Sequence, residues 1–125
     1  MIKVLKFGGT SVGSAANMKK VAEIVRREQA RITVLSAMSG TTDSLVRISR
    51  AAASGDRNAI EEQLAMLTDK YTRCIEELLR ERKQQALARM NATFGLIRDE
   101  AAAFEEYESE RKIIAQGELL TSAIF

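Results

Sequence analysis

Residues 2–35 spell out a strand, a glycine loop, a helix and a second strand, and that succession governs what the rest of the chain can become. Ile2 to Phe7 is a short, mostly apolar run with Val4, Leu5 and Phe7, halted at once by Gly8 and Gly9. It reads as a buried strand running into a tight loop. Beyond the loop, Met18, Val21, Ala22 and Val25 recur with i, i+3, i+4, i+7 spacing, and Ser14 is placed to cap them. A helix is therefore predicted over roughly residues 15 to 29. Ile32 to Leu35 supplies a second β-rich run. Strand, helix, strand with both strands apolar on successive residues is a βαβ unit, whose strands pair in parallel through a right-handed crossover.

Beyond Leu35 the pattern turns helical, and the absence of proline permits long uninterrupted helices. Leu45, Ile48 and Ala52 share one face of a segment over about 42–54 that stops at Ser54 and Gly55. Asp56 is a good N-cap for a stripe of Ile60, Leu64, Leu67, Tyr71, Cys74 and Leu78. A second stripe runs Leu87, Met90, Phe94, Ile97, Ala101 and Phe104, and the polar stretch Arg80 to Gln85 suits a turn between two antiparallel helices. Gly95 costs the second of these about 1 kcal/mol. A last helix, expected from near Ser109, carries Ile113, Gly117, Leu120 and Ile124 on one face. Its end, LLTSAIF, has no Gly or Asn cap and no cationic last turn, so its final carbonyls and apolar face read as unpartnered. The expectation is a chain truncated at Phe125 and prone to self-association, since a two-strand sheet also leaves an open edge. The fold class expected is α/β, with two parallel strands and about five helices.

Absences close off several chemistries. With no His, neither a Ser/His/Asp triad nor His-ligated zinc can be built, and one Cys makes no internal disulfide. Cytoplasmic residence is the natural expectation. A composition of 46% hydrophobic and 29% charged residues over 125 positions fits one globular domain and excludes a disordered chain. Net charge is +2, too near balance to point to nucleic acid or a membrane surface, and no run approaches the ~20 apolar residues of a membrane span.

The strongest local signal is KFGGTSVG, Lys6 to Gly13, between the first strand and the first helix. Loop amides and a helix N-terminus there converge on negative charge, and glycine lets backbone approach an anion closely. It is no Walker A loop, because Ser14 and Ala15 stand where Lys and Ser/Thr belong, and Thr10 breaks GxGxxG. The plainer alternative is that Gly8 and Gly9 only turn the chain and Lys6 is solvated. The second strand leads into SAMSGTTD, Ser36 to Asp43, which a parallel pair sets beside the first loop, where α/β sheets bind ligands. Here the alternative is that Thr41 or Thr42 caps the next helix. Glu118, in AQGE, is an acid beside Gly117 on an apolar helix, read either as an exposed carboxylate or as a ligand contact. Cys74 belongs to the core stripe. The six acids of Asp99 to Glu110 read as a solvated face and turn.

Taken together, KFGGTSV (Lys6 to Val12), VLSAMSGTTDSL (Val34 to Leu45) and the Gly117–Glu118 pair resemble the aspartokinase family of the amino acid kinase superfamily, in order and rough spacing. The resemblance implies the N-terminal part of a three-layer α/β/α kinase fold. It also implies transfer of the ATP γ-phosphate to the side-chain carboxylate of aspartate, opening lysine, threonine and methionine biosynthesis. By the same resemblance Lys6, Phe7, Gly8 and Gly9 line the ATP phosphate site with Thr10 and Ser11 close by, and Lys6 is the catalytic residue. Ser36, Thr42 and Glu118 face aspartate. Mg²⁺ is expected with ATP, held mainly through its phosphates, and the enzyme is expected to be a homo-oligomer. The family's catalytic domain continues past the equivalent of Phe125, so this chain alone is expected to be inactive. A different class of reading makes the long helix pair a binding module, with a merely structural glycine loop.

Overall fold

The computed structural model describes residues 1–125. Strand β1 (Val4–Phe7) leads through the glycine loop into α1 (Ala15–Glu28), which returns the chain to β2 (Ile32–Leu35). Then come α2 (Thr41–Ser54), α3 (Arg57–Leu78), α4 (Lys83–Ala102) and α5 (Glu106–Ile124). The strands pair in parallel, Val4 with Ile32 through Phe7 with Leu35, as the βαβ pattern predicts. No helix is long and apolar enough to cross a membrane.

Local chemistry fixes most boundaries. Ser14 caps α1, its hydroxyl accepting the Asn17 amide at 3.1 Å. Gly55, in the left-handed region at φ 72°, closes α2, and Asp56 immediately caps α3 by accepting the Ala59 amide. Three boundaries depart from the sequence expectation. β1 starts at Val4, because the Lys3 carbonyl accepts from Arg31 and Ile32 and Ile2 stays 63% exposed. The turn before α4 is shorter than Arg80 to Gln85, with α4 already under way at Lys83. α5 opens earlier than Ser109, whose hydroxyl reaches back to the Glu105 amide and donates to Glu100, so the serine sits one turn inside.

α2 packs on α3 and α5, α4 on α3 and α5, and α1 on α3. Their apolar stripes merge into one core in which Tyr71 and Phe94 meet edge to face, ring centroids 6.0 Å apart. Cys74 lies in that core beside Met18, and burial pushes its thiol above the ordinary range. The apolar end of α5 is largely covered, contrary to expectation: Ile124 is buried and belongs to the same core as Met18, with Phe125 half-buried against that core. The strands also differ from expectation. Only one face of each is covered, and Val4, Ile32 and Val34 lie exposed on the other.

Candidate phosphate and substrate loops

Both glycine-bearing loops leave the same end of the parallel pair, and they touch. The Ser36 amide donates to the Phe7 carbonyl, and the Ser39 amide donates to the Gly9 carbonyl at 3.1 Å. Neither Gly8 nor Gly9 adopts a positive φ, so neither is required for a turn. Space is what they supply. A Cβ on Gly9 would stand 2.9 Å from the Ala37 carbonyl oxygen, and one on Gly13 3.1 Å from the Gly9 carbonyl, so both allow the loops to close on each other and on themselves. Gly8 faces open space, with nothing within 4 Å of where its Cβ would be.

Within the first loop, the amides of Val12 and Gly13 turn inward to the Gly8 and Thr10 carbonyls. Those of Gly8, Gly9, Thr10 and Ser11 donate to no group in the chain. Asn17, one turn into α1, donates its side-chain amide to the Thr10 carbonyl and ties the loop to the helix. Lys6 is exposed on β1, paired across the sheet with Val34, and Phe7 is half-buried. Four successive free amides, an open Gly8, an exposed lysine and the N-terminus of α1 suit an oxyanion such as a phosphate.

The second loop differs from its sequence reading in one respect. Neither Thr41 nor Thr42 caps α2: the N-cap is Gly40, at φ 82°, with no side-chain cap. The Thr41 hydroxyl is engaged elsewhere, 2.8 Å from the Tyr71 hydroxyl in the core, and Thr42 stands exposed in the first turn of α2. Ser36 is half-buried at the end of β2. From the other side α5 presses in at Gly117, where a Cβ would lie 2.8 Å from the Ala37 Cβ and 3.7 Å from Thr41 Cγ2. Glu118, the next residue, is exposed on α5. The fold thus brings the two loops and the Gly117 turn of α5 together. Sequence reasoning singled out Thr41 but not its partner Tyr71, and it missed Asn17 and Lys70, whose ammonium donates to the Ser39 carbonyl. A polar residue three positions after a capping serine marks Asn17, but Lys70 reads as one more charge on a helix.

Residues 1–121 match the model of the amino acid kinase family. The aspartokinase of Chlamydia muridarum is 32% identical over 122 residues, which is 97% of this chain and 26% of that protein. E. coli aspartokinase III, solved in complex with lysine and aspartate in its T-state, superposes with a TM-score of 0.87 at 24% identity, over 98% of this chain and 27% of that one. In its R-state complex with aspartate and ADP, the same enzyme gives a TM-score of 0.82 at 25% identity, over 99% and 28%. This chain therefore spans about a quarter of the length of the relatives it matches. A parallel pair with adjoining glycine loops and a match over nearly every residue lead to one assignment: the chain belongs to the amino acid kinase family.

Proposed function

We propose that this chain carries part of the active site of an aspartokinase, which transfers the γ-phosphoryl group of ATP to the side-chain carboxylate of aspartate. The observation that carries the reading is the run of unpartnered amides from Gly8 to Ser11 beneath an open Gly8 and next to Lys6. In this reading Lys6, Phe7, Gly8, Gly9, Thr10 and Ser11 form the phosphate side. Ser36, Thr42 and Glu118 form the aspartate side, which the contact of Gly117 with Ala37 and Thr41 supports by bringing α5 to the second loop. The relatives that the chain matches are aspartokinases, and one is solved with aspartate and ADP.

The chemistry asks little of the protein beyond placement. An aspartate carboxylate is ionised at neutral pH, with a pKa of about 3.9, so its oxygen attacks the γ-phosphorus without a base. The bond from that phosphorus to the β–γ bridging oxygen breaks, leaving aspartyl phosphate and ADP. Lys6 and the loop amides neutralise charge on the moving phosphoryl oxygens, Glu118 takes the substrate ammonium, and Ser36 and Thr42 orient its carboxylates. Mg²⁺ enters this reading with the nucleotide, held mainly through its phosphates.

The remaining parts of the reading are a cytoplasmic homo-oligomer, with activity in the whole enzyme and none in these residues alone. The uncovered face of Val4, Ile32 and Val34 is the kind of surface that further polypeptide covers. The helix pair offers little support for a binding module, because its stripes are consumed by the chain's own core. Steady-state kinetics of the whole enzyme test the proposal. Lys6→Ala is expected to lower turnover at least tenfold, about 1.4 kcal/mol of transition-state stabilisation. Near-normal turnover in that variant removes Lys6 from the mechanism.

A further inference from the structure

The second loop is held from outside itself, by two consecutive residues of α3. Gly40 is its pivot, in the left-handed region at φ 82°. On one side of the pivot, the Ser39 carbonyl accepts the Lys70 ammonium, which also lies 3.8 Å from where a Gly40 Cβ would stand. On the other side, the Thr41 hydroxyl meets the Tyr71 hydroxyl at 2.8 Å, both residues being fully buried. Neighbours on a helix point about 100° apart, so Lys70 grips the loop from its solvent edge and Tyr71 from beneath.

Neither contact is incidental to another role. Lys70 forms none of the chain's ion pairs, although Asp69 next to it pairs with Arg73. Its half-buried ammonium has that carbonyl as its partner, and burial lowers its pKa from the ordinary lysine value. Tyr71 is wedged against Phe94, so its hydroxyl is aimed rather than free to swing. Burial raises its pKa, against the hydrogen bond with Thr41 that favours the ionised form. The Thr41 contact makes the tyrosine oxygen the point where the end of the second loop is fastened to α3.

We propose that Lys70 and Tyr71 are positioning residues, which fix the Ser36–Thr42 segment in the shape that presents its polar groups to the amino acid substrate. The proposal rests on the reading of that segment as the aspartate side of the site. Lys70→Met keeps the side-chain length and removes the donor, Lys70→Arg restores a donor, and Tyr71→Phe deletes one oxygen from the core.

The test combines two measurements on the full chain in its native enzyme. Hydrogen exchange by mass spectrometry is expected to show amides of residues 36–43 exchanging at least tenfold faster in Lys70→Met, with α4 unchanged and Lys70→Arg close to wild type. Kinetics are expected to show the KM for aspartate rising at least fivefold in Lys70→Met and Tyr71→Phe, with the KM for ATP within twofold. Exchange that is unchanged over 36–43, or raised equally in α4, overturns the positioning role, as does an equal rise in both KM values. A wild-type enzyme that fails to phosphorylate aspartate overturns the functional reading instead, and the exchange result still decides whether Lys70 holds the loop.

Discussion

Along α3 and α4 the stripe residues Ile60, Leu64, Leu67, Met90, Phe94 and Ile97 are all 7% exposed or less, whereas on the strand pair Val4, Ile32 and Val34 are 55%, 49% and 45% exposed. The helices finish their burial within these residues, and the sheet covers one face only. Yet both candidate ligand loops spring from the sheet. The buried core and the candidate ligand loops therefore occupy different parts of the chain, joined where α3 and α5 reach the second loop through Lys70, Tyr71 and Gly117.

Cutting one side chain in each region is expected to give the largest difference. Ile97→Ala empties a fully buried site and is expected to cost about 2–5 kcal/mol in urea unfolding. Val34→Ala, on the uncovered sheet face, is expected to cost no more than about 1 kcal/mol. Equal losses would mean that the sheet contributes to stability as a covered element does. Next in size is the joint between the regions. Gly117→Ala sets a methyl 2.8 Å from Ala37 Cβ, so α5 or the loop must shift, at an expected cost of about 1–3 kcal/mol. Because the shift falls on Ala37 and Thr41, aspartate use is expected to suffer more than ATP use in the same variant. Equal kinetic effects on the two substrates would place the disturbance outside the second loop.

The smallest effect lies on the helix surface, where Arg98 on α4 grips Glu61 on α3 through two hydrogen bonds of 2.8 and 3.1 Å. Hydrogen bonding to Arg98 holds the Glu61 carboxyl below the ordinary glutamate range. Both side chains are about half exposed, so solvent screening keeps the pair below about 1 kcal/mol. A carboxyl with a lowered folded-state pKa stabilises above its unfolded value, and that contribution disappears as pH falls through the folded one. A double-mutant cycle at neutral and acid pH is expected to show coupling at the first and none at the second.

Most of the helical scaffold is legible in the sequence because each stripe repeats a period the backbone imposes, and Ser14 and Asp56 announce their caps by residue type. The parallel pair and the meeting of its two loops follow from the βαβ order. What escaped depends on long-range partners. Thr41 reads as a cap until Tyr71, far along the chain, is seen to take its hydroxyl. Ser109 reads as a helix start until Glu100 and the Glu105 amide are seen around it. The exposed faces of Val4 and Val34 could not be foreseen from an apolar run, because composition shows what a strand can bury and not what lies against it.

The parallel register of β1 and β2 also has a consequence for assembly. Helices α3 and α4 meet across a short turn, but Val4 finds Ile32 only after the whole of α1 has been looped out between them. Closing the longer loop carries the larger entropic penalty, and contacts of high sequence separation are the slower ones to form. The two glycine loops become neighbours only when that closure is complete. The geometry that suits a phosphate is thus tied to a non-local contact, one that neither loop's own sequence can secure.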